Sequence, residues 1–216
     1  GSGKIILNGG RYFQSPPAKY LSIASDYIIK SVLSDQFSIS YEKLLNTSTK
    51  LSVSIYTKQY KDAPIVQSTE RNANPVFLMD RNITFSQIES EGSAKSEGLE
   101  LLIEKKRAEN FYGHVGGSIY NSTFIDFLGI ERNRDNNCQY LLNIIGGYRP
   151  SNKWEVSLRW SLFGGKPYTE IDEVSSIRYN ESIYFTDKYN EKRTPVYHNL
   201  FLRYEHRKVY KKLNLI

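Results

Sequence analysis

Apolar and polar residues alternate without interruption from Trp154 to Leu162. Trp154, Val156, Leu158, Trp160 and Leu162 fall on one face of an extended chain, and Glu155, Ser157, Arg159 and Ser161 on the other. This period of two is the mark of a strand with one apolar and one polar face. Gly164-Gly165-Lys166-Pro167 ends it, because a sheet interior tolerates neither the glycine pair nor the proline. The same pattern recurs along the chain. Phe37, Ile39 and Tyr41 oppose Gln36, Ser38, Ser40 and Glu42; after the polar turn 46–49, Leu51, Val53 and Ile55 oppose Ser52, Ser54, Tyr56 and Lys58, which predicts a hairpin. Leu99, Leu101 and Ile103 stand against Glu100, Leu102 and Glu104. Phe111, Val115 and Ile119 stand against Tyr112, His114, Ser118 and Tyr120. Leu142, Ile144 and Tyr148 oppose Asn143, and Leu200, Leu202 and Tyr204 oppose Asn199, Arg203 and Glu205. Over Glu97–Lys106 a helix is the rival reading, since Glu, Leu and Lys are good helix formers; Gly98 and the period of two favour a strand. Lys4–Gln14 reads as a first strand whose glycines blur its facing, and Leu213–Ile216 begins a last one that the chain does not finish.

The connections separate two all-β architectures. Those after the first, third, fifth and seventh strands are long, including the polar stretches 61–96 and 123–137; those after the second, fourth, sixth and eighth are short. Successive antiparallel strands send alternate connections to opposite ends, so one end carries turns and the other carries loops. That asymmetry, with strands of about ten residues, is the plan of an outer-membrane barrel. Soluble strands average about five or six residues, and compact soluble domains rarely carry loops this long. The expected fold is therefore an all-β, antiparallel, up-and-down transmembrane β-barrel with about nine of its strands in this chain. A soluble β-sandwich that binds carbohydrate is the alternative, with Trp154, Trp160 and the tyrosines in its core or platform. A structural or adhesive outer-membrane barrel without transport is a third reading.

Composition narrows the chemistry. Tyr 17 against Met 1 and Cys 1 suits a β-rich chain. The single Cys138 excludes an internal disulfide framework and a cysteine zinc site. No stretch reaches the ~18 apolar residues of a membrane-spanning helix. The net charge of +6 is spread along the chain with no recognisable module, so nucleic acid is not an expected partner. No nucleophile–base pair, phosphate loop or carboxylate pair stands out. The chain is read as a non-enzyme without cofactor, and His114 and His198 as wall residues rather than metal ligands.

Several motifs carry a resemblance. GRYFQSPP (10–17), SEGLELLIEKK (96–106), Asn143–Tyr148 joined to WEVSLRW, FGGKPYT and RTPVYHNLFLRY (193–204) resemble the C-terminal half of TonB-dependent outer-membrane receptors. The most specific pair is the G-x-P-Y-T strand exit followed by R-x-P-x-Y-H-x-L-x-L-R. The resemblance implies a larger barrel of about 22 strands, an even-numbered closed wall of the kind bacterial barrels form. It also implies an N-terminal plug, the TonB complex as energy source, a scarce ligand (iron chelate, vitamin, oligosaccharide or peptide), and outer-membrane lipid around the wall of a Gram-negative cell. On this reading residues 1–216 are part of one barrel domain, with the plug, the early strands and the final strand outside it. Phe201 departs from the pattern, standing where members commonly carry a small acidic residue.

Two sets of residues follow as functional candidates. Arg or Lys at the lipid midplane costs about 2–4 kcal/mol, so Glu100, Glu104, His114, Glu155, Arg159 and Arg203 are assigned to a polar lumen, with Glu205 in the same row. Trp154, Trp160 and Tyr204 are assigned to the lipid side. In the loops, RNANPVFLMDRNITF (71–85) and YNESIYFTDKYNEKR (179–193) mix arginine with aromatics, a composition suited to recognition. Arg71, Phe77, Arg81, Tyr179, Tyr184 and Tyr189 are the ligand-contact candidates there.

Overall fold

The computed structural model describes residues 2–16, 18, 29–66, 77–78, 88–210 and 213–215. Its strands are β1 (Lys4–Gln14), β2 (Val32–Leu44), β3 (Thr49–Val66), β4 (Ile88–Ala108), β5 (Phe111–Ile125), β6 (Glu131–Asn133), β7 (Tyr140–Tyr148), β8 (Trp154–Phe163), β9 (Pro167–Tyr168), β10 (Lys192–Arg193), β11 (Tyr197–His206), β12 (Lys208–Tyr210) and β13 (Leu213–Leu215). A helix, α1, spans Glu173–Tyr179. A nine-stranded sheet runs β1-β2-β3-β4-β5-β7-β8-β11, with β6 continuing the ladder beside the end of β5. Every pairing is antiparallel, and β1 and β11 form open edges. The up-and-down order follows from the turns 45–48, 109–110 and 149–153 at one end; 15–31, 67–87, 126–139 and 164–196 connect at the other.

Register fixes the facing, because partners in a ladder share a side of the sheet. One row reads Ser40, Ser54, Glu100, Ser118, Leu141, Phe163 and Tyr197; the neighbouring row on the opposite face reads Leu7, Ile39, Ile55, Leu99, Ile119 and Tyr140. The faces differ in kind. On the apolar one, Ile5 and Leu202 are each 70% exposed, Ile119 and Tyr204 each 68% and Ile55 62%. No second layer covers them among the described residues, so a sandwich is excluded: a soluble sheet buries its apolar face. An uncovered apolar surface this continuous is far larger than water-facing proteins present. Trp154, Trp160 and Tyr204 all lie on it. At the turn end Phe111, Tyr148 and Trp154 form a chain of ring contacts, with centroids 4.5 and 5.6 Å apart, in the manner of an interfacial aromatic girdle.

Charges bound this band instead of crossing it. On β2 the apolar run lies between Asp35 and Lys43, about 26 Å along the strand at ~3.3 Å per residue and roughly 20 Å when tilted by about 40°. At the loop-side margin Arg11 grips Asp35 through two hydrogen bonds of 2.6 and 2.9 Å, and Lys95 meets Glu97 at 2.6 Å. The facing of β1, which its glycines obscured, is thereby settled: Ile5, Leu7 and Phe13 are outward, and Asn8 and Tyr12 inward.

Several elements differ from the sequence-based expectation. β3 continues to Val66 and β4 starts at Ile88, where a loop was expected from 61 to 96. A bulge at Asp62 (φ 53°) re-aims the chain so that Ala63, Pro64, Ile65 and Val66 are all buried. Opposite, Ile88, Ser90, Gly92 and Ala94 are buried while Glu91 and Lys95 are exposed, an alternation of small against charged residues. The 164–196 connection is structured, and the last strand, β13, pairs with β12 as a separate hairpin, not with β11.

Among the described residues these extensions carry a hydrophobic core beyond the apolar band: Val32, Ala63, Ile65, Val66, Phe77, Leu78, Ile88, Ala94, Phe124 and Tyr189. A test of the facing compares two neighbours on β8. Leu158→Lys, on the apolar face, is expected to cost about 2–4 kcal/mol, whereas Ser157→Lys on the polar face is tolerated. Heat-modifiable gel mobility of the whole protein reads the difference; equal effects would overturn the assignment.

Candidate functional site

The register brings the dispersed polar candidates to one surface. Glu100 pairs with Ser118, Glu104 with His114, His114 with Ile145, Ile145 with Arg159 and Arg159 with Phe201; Arg203 pairs with Ser157, and Glu155 with Glu205. All therefore occupy the polar face, Phe201 with them.

At its turn end this face holds a charge network. The Tyr112 hydroxyl donates to Glu155, which Arg149 approaches at 3.8 Å and Arg207 at 3.5 Å. Arg203 and Arg207 both donate to Glu205. Tyr112 reaches Glu155 because Gly147, its direct partner on β7, leaves room: a side chain there would overlap the tyrosine ring. Arg149 and Arg207, which lie in the turns, were not recognised from sequence as partners of this cluster.

At the loop end the connections are tied to each other and to the wall. Phe124, from the end of β5, contacts Phe77 at 5.3 Å between centroids and Tyr189 edge-on at 6.0 Å. Arg134 lies over the rings of Phe77 and Tyr60 at 4.8 and 5.4 Å. Phe77 (1% exposed) and Tyr189 (2%) are thus core residues beneath the loops, which corrects their assignment as ligand contacts. Their bulk fills the space between three connections, and a buried ring has no face to offer a ligand. Tyr179 and Tyr184 are exposed, and Arg71 and Arg81 lie outside the described residues.

Polar bonds complete the tie. Asn190 donates to the Asn133 carbonyl at 2.9 Å and to Asp135 at 2.8 Å; Asn133 answers to the Asn190 carbonyl at 3.0 Å. Arg193 donates to the Asn137 and Gly165 carbonyls. Gly164 and Gly165 are required here because the chain squeezes between two other backbones. A Cβ on either would overlap the carbonyl oxygen of Cys138 or of Thr194. Below, Asp126 accepts from the Leu128 and Ile130 amides, both at 2.9 Å, and from Arg132 Nε at 3.0 Å, with both side chains of the ion pair buried.

The 164–196 connection is an arm. β9 and β10 form its stem, Ile171 bridges Tyr184, and α1 sits at the tip. Asp172 caps α1 by accepting from the Ser175 amide at 3.0 Å and the Ser175 hydroxyl at 2.6 Å; Asn180, at φ 52°, closes it. Val174 and Ile177 are the most exposed large hydrophobic side chains of the tip, at 79% and 83%.

A single-layer antiparallel sheet with one apolar and one polar face, turns at one end and tied loops at the other, defines a membrane β-barrel wall. Comparison identifies which. Residues 5–215 match the family described as TonB dependent receptor-like, beta-barrel, and the chain belongs to it. Among solved structures it is similar to the ferric-catecholate import receptor Fiu from E. coli K12, in its closed form, with a TM-score of 0.67 at 11% identity. That likeness covers 98% of this chain and 27% of Fiu, so the chain spans about a quarter of that receptor's length. No curated protein matches the sequence.

Two outcomes test the loop end. Asp126→Ala leaves Arg132 buried without its carboxylate and frees two amides, an expected loss of about 3–5 kcal/mol that limited proteolysis within 126–139 would report. The Ser175 hydrogen bonds hold the Asp172 carboxyl below its ordinary range, so its capping contribution is full above about pH 4 and is lost as pH falls through the lowered value. The protection factor of the Ser175 amide, taken against its intrinsic exchange rate at each pH, should fall on acidification, and Asp172→Asn should remove that pH dependence.

Proposed function

We propose that this chain is part of the barrel wall and loop rim of an outer-membrane receptor that imports a scarce ligand with energy delivered through TonB. The observation that carries the reading is the division of one sheet into an apolar outer face and a polar inner face on which Glu100, Glu104, His114, Arg159 and Arg203 gather. Lipid accepts the first, and a water- or plug-filled lumen accepts the second. Family membership supports the same reading, as does the open sheet, which needs further strands to satisfy the edges of β1 and β11.

In this arrangement the turns face the periplasm and the loops face outward. The receptor's own plug stands within the lumen that the polar wall bounds. Tyr179 and Tyr184, on the arm, are the described loop candidates for ligand contact; Arg71 and Arg81 are proposed with them from sequence. Nothing in this reading requires a bound cofactor or covalent chemistry. The protein acts as a transporter, and the wall contributes shape, polarity and a path.

Uptake in cells tests it directly. With the whole receptor expressed, ligand accumulation should require both TonB and the proton gradient, while binding to the cell surface persists without either. Accumulation that is unchanged when TonB is removed would overturn energised import and favour a passive or adhesive barrel.

A further inference from the structure

The polar face of β1–β4 contains a concavity of about 340 Å³ in the middle and loop-side part of the wall. Most of its polar lining is uncharged: Asn8, Gln36, Ser38 and Ser54 line it together with the tyrosines Tyr12 and Tyr56. Both tyrosines lie down along the sheet. A Cβ on Gly10 would stand 2.9 Å from the Tyr12 hydroxyl and 3.0 Å from its ring; one on Gly98, the direct partner of Tyr56, would stand 2.9 Å from the Tyr56 hydroxyl. Glycine at these two positions is what lets the rings rest on the backbone, the arrangement by which aromatics cover glycines in strands. Tyr12 remains 56% exposed, so its ring is offered to the lumen.

Charge at this site cancels. Glu100 and Lys58 also line it, and the Lys58 ammonium lies 5.5 Å from the centre of the Tyr56 ring. The basic residues that would neutralise an anionic chelate stand at the other end of the polar face, where Arg149, Arg203 and Arg207 are engaged with Glu155 and Glu205.

We propose that this groove binds a neutral oligosaccharide. A pyranose ring has an apolar C–H face that packs on an aromatic ring and a rim of hydroxyls that need partners in its plane; the tyrosines supply the first, and the serine and amide side chains the second. The serine hydroxyls keep acceptor capacity although Ser54 already donates to Ser40 at 2.8 Å. The inference deepens the receptor reading and rests on it, because only in a closed barrel does this face line a lumen.

The test uses the full-length receptor in detergent and titrates maltoheptaose, xylohexaose and laminarihexaose by calorimetry, with a ferric catecholate as comparator. At least one neutral oligosaccharide should bind, and Tyr12→Ala and Tyr56→Ala should each weaken it about tenfold. Tyr56→Leu, which still covers Gly98, should show the same loss, while Tyr12→Phe should keep most of the affinity; heat-modifiable mobility establishes that each variant is folded. Failure of all three oligosaccharides to bind, or binding that none of the tyrosine variants alters, overturns the groove. Binding of the ferric catecholate alone would also overturn it and would leave the receptor reading standing, since that reading is decided separately by the TonB dependence of uptake.

Discussion

Backbone hydrogen bonding in a medium without water is the constraint from which this structure follows. An unpaired amide or carbonyl in hydrocarbon costs several kcal/mol, so a chain that crosses lipid in extended form must pair every strand with a neighbour. Continuous antiparallel ladders from β1 to β11 meet that demand through the apolar band. Once pairing is compulsory, the period of two does the rest. Each strand has one side in lipid and one in the lumen, so its sequence must alternate. Trp154–Leu162 is the clearest case: Val156, Leu158 and Leu162 answer to lipid while Glu155 and Arg159 answer to the interior. The paired margins of Arg11 with Asp35 and Lys95 with Glu97 mark where water again becomes available to the outer face.

Beyond that margin the rules change, and the chain with them. The extended ends of β3, β4 and β5 are no longer held by lipid, so they gain stability by packing against the connections they carry. Phe124, Phe77 and Tyr189 come from a strand and two different loops, and Asn133, Asn190 and Arg193 fasten the same loops through main-chain carbonyls. The result is a rim anchored to the wall, with the arm that ends in α1 standing on it. Recognition surfaces built on anchored loops lose less conformational entropy on binding than free loops do, which suits the receptor role proposed above.

The wall was legible in the sequence because its determinants are local. Alternation identifies the strands, and connection length identifies the two ends without any knowledge of what packs where. What escaped reading depends on partners distant in sequence. Ser90, Gly92 and Ala94 read as loop residues because they are small and polar, yet smallness is what their strand needs: a side chain on Gly92 would strike Ile65 and the Ala63 carbonyl. Phe77 and Tyr189 looked like recognition residues because aromatics between charges suit both a binding loop and a core, and only the fold separates the two. The helix α1 left a fainter local signal that was available: Asp172 three residues before Ser175, apolar Val174 and Ile177 one turn apart, and Asn180 to close. The charge network at the turn end was half visible, since Glu155, Arg203 and Glu205 fall on strands whose facing alternation fixes. Arg149 and Arg207 lie in turns, where sequence gives no facing.

The polar face itself is not uniform, and the division has a physical consequence. Toward the turns of β7, β8 and β11 its charges are spent on one another, so that region is a rigid, internally satisfied surface. Toward the loops of β1–β4 it consists mainly of serine, amide and tyrosine groups, with Glu100 and Lys58 as its charges. A surface whose ion pairs are already formed discriminates weakly among passing ligands, because engaging it means first breaking those pairs and paying their desolvation. A surface of neutral hydroxyls and amides exchanges partners with water at small net cost, since each bond lost to water is replaced by one to the ligand. On the receptor reading proposed above, the strands that precede the charged ones therefore carry the less committed part of the wall. The Trp154–Phe163 strand, for all the regularity of its pattern, holds the wall's shape and one side of its charge network, while β1–β4 carry the groups of the proposed groove.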